Sequence, residues 1–205
     1  MFLFHGTQGL KGDGEPEDHW SDDFIAKLAS ELGISVDNIE ILDWGGALSQ
    51  STRRDGGHNI ATKLSELEHN GPLLLIGYSH GGNVAIRTIN QLATEYNQDL
   101  SNLTLVTIGT PVRELNNEYV LYESIDINHH INIYNIHDII QIAGGPAPLL
   151  QEGTAGRRFS DENRTENINV ESITETGPFA SHSYMHDNIR VWRDYILEAL
   201  RRVLD

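Results

Sequence analysis

Ser79 lies in Gly77-Tyr78-Ser79-His80-Gly81, a Gly-x-Ser-x-Gly pattern. The apolar run Leu73-Leu74-Leu75-Ile76 precedes it, and Gly82, Asn83, Val84 and Ala85 follow. This order reads as a buried strand, a tight turn and the start of a helix, and a serine on that turn is a nucleophile elbow. Glycines two positions either side allow the backbone to fold back sharply. The unpaired N–H groups of the following helix then point at the reacting centre. The chemistry implied is serine attack on a carbonyl carbon, with an oxyanion held by backbone donors. An ordinary glycine-rich strand-to-helix turn is the bland alternative, and the flanking residues are what argue against it.

A serine hydroxyl is a weak nucleophile until a base accepts its proton, and the base needs a third group to fix its tautomer. On a strand-turn-helix scaffold the chain order is serine, acid, histidine. Asp138 follows the run Ile131-Asn132-Ile133-Tyr134-Asn135-Ile136 and fits the acid. Asp126, its rival, comes before that run. His182 and His186 both lie near the chain end, in Ser181-His182-Ser183-Tyr184-Met185-His186. His182 is favoured because it precedes the final helix, and His186 is the alternative base. Two histidines four apart can also ligate zinc, but the glutamate of His-Glu-x-x-His is missing and no third ligand is near. No metal and no cofactor are expected.

Two convergent backbone donors are required for the oxyanion. The amide of His80 is one, and the amide of Thr7, in His5-Gly6-Thr7-Gln8, is the other. His5 itself is expected to pack beneath that loop. Trp44, Gly6 and Gln8 are the candidate pocket residues. The acidic stretch Gly12 to Asp18 lacks the spacing of a calcium loop and reads as solvated.

Elements that would hold these groups alternate along the chain. Strands are expected at Phe2-Leu3-Phe4, Ile39 to Leu42, the elbow run, Leu103 to Ile108, Ile131 to Ile136, and Ile168-Asn169-Val170 with Ile173. Ser21 caps a helix carrying Trp20, Phe24, Leu28 and Leu32 on one side, and Gly33 ends it. After a polar loop, Ile60, Ala61, Leu64 and Leu67 mark a second helix. His129-His130 is expected to be exposed, and Ile189, Trp192, Ile196 and Leu200 give the last helix an apolar stripe. Alternation of this kind implies an α/β fold: a three-layer sandwich around a mostly parallel sheet of about six strands. Ligands bind such sheets at the carboxyl ends of the strands. His5-Gly6-Thr7, Asp43, Ser79 and Asp138 all follow strands. Residues 1–205 read as a single domain, with 144–164 a long surface loop or a pocket wall.

The His-Gly loop after the first strand, Gly77-x-Ser79-x-Gly81, a late Asp138 and His182 before the last helix together resemble a small α/β-hydrolase of the lipase/esterase type. The chain also resembles the minimal bacterial lipases, which begin at the strand bearing the His-Gly motif. The resemblance implies ester hydrolysis through Ser79, Asp138 and His182, with the substrate a small ester or lipid. Amide or thioester hydrolysis would use the same groups, and a non-catalytic binding domain on this fold is the remaining alternative.

Bulk properties limit the partners. The 205 residues carry a formal net charge of −16, which repels nucleic acid and anionic membranes. There are no cysteines, so disulfides and thiolate chemistry are excluded. No run is long enough for a membrane span, and Met1-Phe2-Leu3-Phe4 lacks the form of a signal peptide. A soluble chain without stable membrane insertion is expected, cytoplasmic or excised from a longer exported protein. Oligomeric state is not readable.

Overall fold

Six strands form one sheet in the computed structural model, which describes residues 1–8, 19–67, 71–113, 118–144, 155–171 and 180–204. They are β1 (Phe2–Phe4), β2 (Glu40–Leu42), β3 (Leu73–Tyr78), β4 (Leu103–Ile108), β5 (His129–Tyr134) and β6 (Thr165–Asn169). Their order across the sheet is β2-β1-β3-β4-β5-β6, and every neighbouring pair is parallel. Parallel strands need crossovers that bury both sheet faces, so the central strands must be apolar on both sides. All six residues of β3 and all six of β4 are buried. The α/β class expected from the sequence is the one observed.

Alternation along the strands divides the core in two. Phe2, Phe4, Leu73, Leu75 and Leu105 face α2 (Gln50–Ser65) and α3 (His80–Thr94), packing with Ile60, Leu64, Val84 and Ile89. Leu3, Leu74, Ile76, Val106, Ile131 and Ile133 face the opposite side. There they meet Phe24 and Leu28 of α1 (Asp22–Leu32) and Trp192, Ile196 and Leu200 of the C-terminal helix. Ser21 caps α1 by accepting from the Phe24 N–H, and Gly33 ends it at a φ of 67°. The C-terminal helix comprises a short α6 and a final α7 joined by a π-helical turn. Their ranges are α6 (Ile189–Val191), the turn (Trp192–Ile196) and α7 (Leu197–Leu204), with α4 (Ile139–Ala143) and α5 (Ala180–Ser183) lying earlier in the chain.

After β1 the chain moves outward to β2, and after β3 it moves the other way to β4. The crevice between the ends of β1 and β3 is therefore the topological switch point, where doubly wound sheets bind ligands. Phe4 pairs with Gly77 in register, so the loop after β1 abuts the turn after β3.

Several boundaries differ from the sequence expectation. Helix α2 begins at Gln50 rather than near Ile60. Ser49 starts it, accepting from the Thr52 N–H at 3.0 Å. Its first turns bury Arg53, Gly56 and Gly57 instead of apolar side chains. A Cβ on Gly56 would lie 2.8 Å from Trp44 Cβ, and one on Gly57 2.8 Å from Arg87 Cβ. Arg53 donates Nε–H to Glu118 at 2.9 Å, and Arg87 shares that carboxylate at 3.1 Å. Hydrophobic periodicity has nothing to register there.

Strand β5 spans His129–Tyr134, two residues earlier than expected, and His130 is buried within it, not exposed. The Tyr122 hydroxyl donates to His130 Nδ1 at 2.7 Å, and His130 Nε2–H donates to Thr107 Oγ1 at 3.1 Å. Thr107 in turn donates to Asn132 Oδ1 at 3.0 Å. Strand β6 is also shifted earlier, and Ile173 lies outside the described residues, as does the acidic stretch 12–18. Of the segment 144–164, residues 145–154 lie outside the described residues. Its described part is not a free surface loop: Gly156 bridges Val112, and Phe159 is buried in the core.

Candidate active site

Ser79 occupies the turn between β3 and α3 with φ 52° and ψ −129°, a backbone region that L residues rarely adopt. Strand and helix are held so close that the flanking positions admit no side chain. A Cβ on Gly77 would lie 2.6 Å from the Gly82 nitrogen, and one on Gly81 2.5 Å from the Phe4 carbonyl oxygen. The Ser79 hydroxyl makes no capping bond to its own helix. Instead its Oγ lies 3.1 Å from His182 Nε2.

His182 sits on α5, a separate four-residue helix before the C-terminal one. Its Nδ1 is 2.6 Å from Asp138 Oδ2. A carboxylate only accepts, so Nδ1 carries the proton and Nε2 is left to accept from the Ser79 hydroxyl. Asp138 is fully buried and caps α4, its Oδ1 accepting the Gln141 N–H at 2.9 Å. One carboxylate oxygen thus serves the helix and the other serves the imidazole. Gly109, at a φ of 58°, keeps the far side of the ring clear: a Cβ there would lie 3.3 Å from His182 Cε1.

His186 does not approach Ser79. Its ring stacks on Tyr78 with centroids 4.0 Å apart, and Tyr78 lies tilted against His182 at 5.2 Å. Burial holds the His186 imidazole below its ordinary pKa, with the neighbouring His182 acting in the same direction and Asp187 opposing. The Tyr78 phenol is pushed up by burial and by the Asp138 charge, so it stays neutral. Asp126 is at the surface, 3.5 Å from Arg164, and has no part in this constellation.

At the end of β1, His5 is fully buried with its Nδ1–H donating to the Gly6 carbonyl at 2.8 Å. Trp44 stacks on it at 5.4 Å and donates Nε1–H to the His5 carbonyl at 2.8 Å. Trp44 is therefore committed to holding the loop from beneath. Gly6 presses against the Tyr78 ring, where a Cβ would come within 2.9 Å. Gln8 is buried, with its N–H donating to the Gly46 carbonyl at 2.9 Å. Among the described residues, neither the Thr7 nor the His80 backbone N–H has a hydrogen-bond acceptor. The His80 side chain is fully buried, its pKa lowered to about 3 by burial first and by Arg53 next. It lies 2.6 Å through Nε2 from the Gly144 carbonyl, tying the elbow to the end of α4.

Sequence pattern did not single out Tyr78, Gly109 or Gln141, all of which contact the Asp138–His182 pair or its supports. Their roles arise from tertiary contacts that leave no periodic signal. Among the described residues no group of three or more His, Cys, Asp or Glu could hold a metal ion. A 420 Å³ groove bounded by Tyr122, Phe159 and Asp161 includes none of the residues around Ser79.

No family model matches the chain. A transmembrane and coiled-coil domain-containing protein of rice, Oryza sativa subsp. japonica, is 26% identical over 133 residues. That match covers 64% of this chain and 20% of the rice protein, so the chain corresponds to only a small part of that relative's length. Among solved structures, a cutinase-like protein from Cryptococcus sp. aligns with a TM-score of 0.49 at 14% identity, over 99% of this chain and 93% of that one. Among the described residues, no helix is long and apolar enough to cross a membrane.

Proposed function

We propose that the protein is a carboxylic ester hydrolase with a single α/β-hydrolase domain, acting through Ser79, His182 and Asp138 without a cofactor. The observation that carries this reading is His182, which bridges Ser79 Oγ at 3.1 Å and Asp138 Oδ2 at 2.6 Å. In the acylation step Ser79 Oγ bonds to the ester carbonyl carbon while His182 Nε2 takes the hydroxyl proton. The carbonyl oxygen, now anionic, is met by the N–H groups of Thr7 and His80. Collapse breaks the ester C–O bond, and His182 delivers its proton to the departing alcohol. Water then attacks the acyl-serine, giving a proton to His182; the acyl C–Oγ bond breaks as His182 returns that proton to Ser79 Oγ, and the carboxylic acid leaves. Asp138 keeps the ring in the productive tautomer and stabilises its charged form throughout.

Exposed Ile136, Ile139 and Tyr184 lie within two residues of Asp138 or His182 and favour an apolar acyl or lipid substrate over a charged one. The test is labelling of folded protein with a fluorophosphonate, followed by a p-nitrophenyl ester series beside peptide and thioester substrates. An adduct on Ser79, ester turnover, and loss of both in Ser79→Ala are expected. Absence of an adduct on folded protein would sink the proposal, and turnover confined to peptides or thioesters would change the bond cleaved.

A further inference from the structure

A closed ring of hydrogen bonds joins the Asp138 turn to the segment before β6. Asp138 Oδ1 accepts from the Gln141 N–H at 2.9 Å. Gln141 Nε2 donates to the Thr110 carbonyl at 2.7 Å and to the Arg157 carbonyl at 3.3 Å. Asn132 Nδ2 also donates to the Arg157 carbonyl, at 2.9 Å. Arg157 Nε–H closes the ring on the Asp138 carbonyl at 3.0 Å. Asn132 and Gln141 are both fully buried, so Arg157 is gripped from the core through its main chain while its side chain reaches back to the acid's own peptide. A solvated surface arginine has neither constraint.

We propose that Arg157 is a positioning residue for the triad, fixing the Asp138 turn and setting a positive charge beside the Asp138–His182 pair. This rests on the hydrolase reading above. The geometric part follows from the ring: with the Nε–H removed, the Asp138 carbonyl loses its side-chain donor and the turn loses the brace that Arg157 supplies from outside α4. The electrostatic part follows from proximity, since the Arg157 guanidinium hydrogen-bonds the peptide of the residue that bears the acid.

Arg157→Gln retains an N–H donor without charge, and Arg157→Lys retains charge without the guanidinium fork. Both are to be measured with wild type on a neutral p-nitrophenyl ester across the pH range, with thermal melts to establish folding. Both variants are expected to lower kcat about tenfold with KM changed less than about twofold, since a misplaced acid affects the reaction more than binding. Unchanged kcat in a folded variant would overturn the proposal, as would a raised KM at constant kcat, which marks substrate binding instead. If one variant does not fold, the other still decides, through kcat. Fluorophosphonate labelling of wild-type Ser79 separates failure of this proposal from failure of the hydrolase reading: only the latter leaves Ser79 unlabelled.

Discussion

At the scale of single residues, Ser79 and Asp138 each hold two constraints that substitution can separate. Ser79 is strained at φ 52° and ψ −129°, a conformation costing about 1–3 kcal/mol for a residue with a Cβ. Glycine removes that strain but adds roughly 0.5–1 kcal/mol of unfolded-state entropy. Ser79→Gly is therefore expected to melt higher than Ser79→Ala, with neither variant reacting. The reverse order would mean that the turn is relaxed. Asp138 both caps α4 and receives the His182 proton donor. Asparagine caps as well as aspartate but cannot hold the imidazole's tautomer. Asp138→Asn is expected to melt close to wild type while losing on the order of 10⁴-fold in kcat. A large drop in melting temperature with activity retained would reverse the assignment of its two oxygens.

At the scale of elements, His130 shows what a polar residue inside a strand requires. Burial pulls its pKa down to about 3, against 6.5 in the unfolded chain. As pH falls below 6.5 the unfolded state takes up a proton that the folded state refuses, so its contribution is complete above pH 6.5 and is lost progressively toward pH 3. Its slope is at most about 1.4 kcal/mol per pH unit. Denaturant melts of His130→Gln are expected to show a flatter acid dependence than wild type; an unchanged slope would assign acid sensitivity elsewhere. Helix α2 gives a second test. Gly56→Ala places a methyl against Trp44 and is expected to destabilise by about 1–3 kcal/mol in the same melts, whereas a helix-propensity gain would raise stability. Both elements also mark where sequence reading ran short. Strands β3 and β4 and the elbow between β3 and α3 were legible because apolar runs and turn glycines are local signals. The close approach of Ser79, Asp138 and His182 was foreseeable from strand ends and chain order. The first turns of α2 were not, because they bury an ion pair and glycines, and neither was the burial of His130, whose partners come from Thr107 and Tyr122. The ring that joins Arg157 to Asn132, Asp138 and Gln141 was not legible for the same reason.

At the scale of the whole molecule, the net charge of −16 is a distributed self-repulsion that local pairs such as Arg193–Glu31 and Arg202–Glu166 offset only in part. Salt shortens its range, to about 10 Å at 0.1 M. The melting temperature is expected to rise from low to moderate sodium chloride; a fall would mean that the surface ion pairs outweigh the repulsion. The parallel sheet has a further consequence in time. The bond between Ser79 and His182 joins positions 103 residues apart, and that between Asp138 and His182 positions 44 apart. During vectorial synthesis the elbow can form long before the imidazole that polarises it has left the ribosome. On the proposed triad, a nascent chain with β1 to β5 complete would hold an inert serine, and reactivity would arrive in one step when α5 docks. The fluorophosphonate adduct would thus also report the docking of α5, dating a late event of the fold rather than the first.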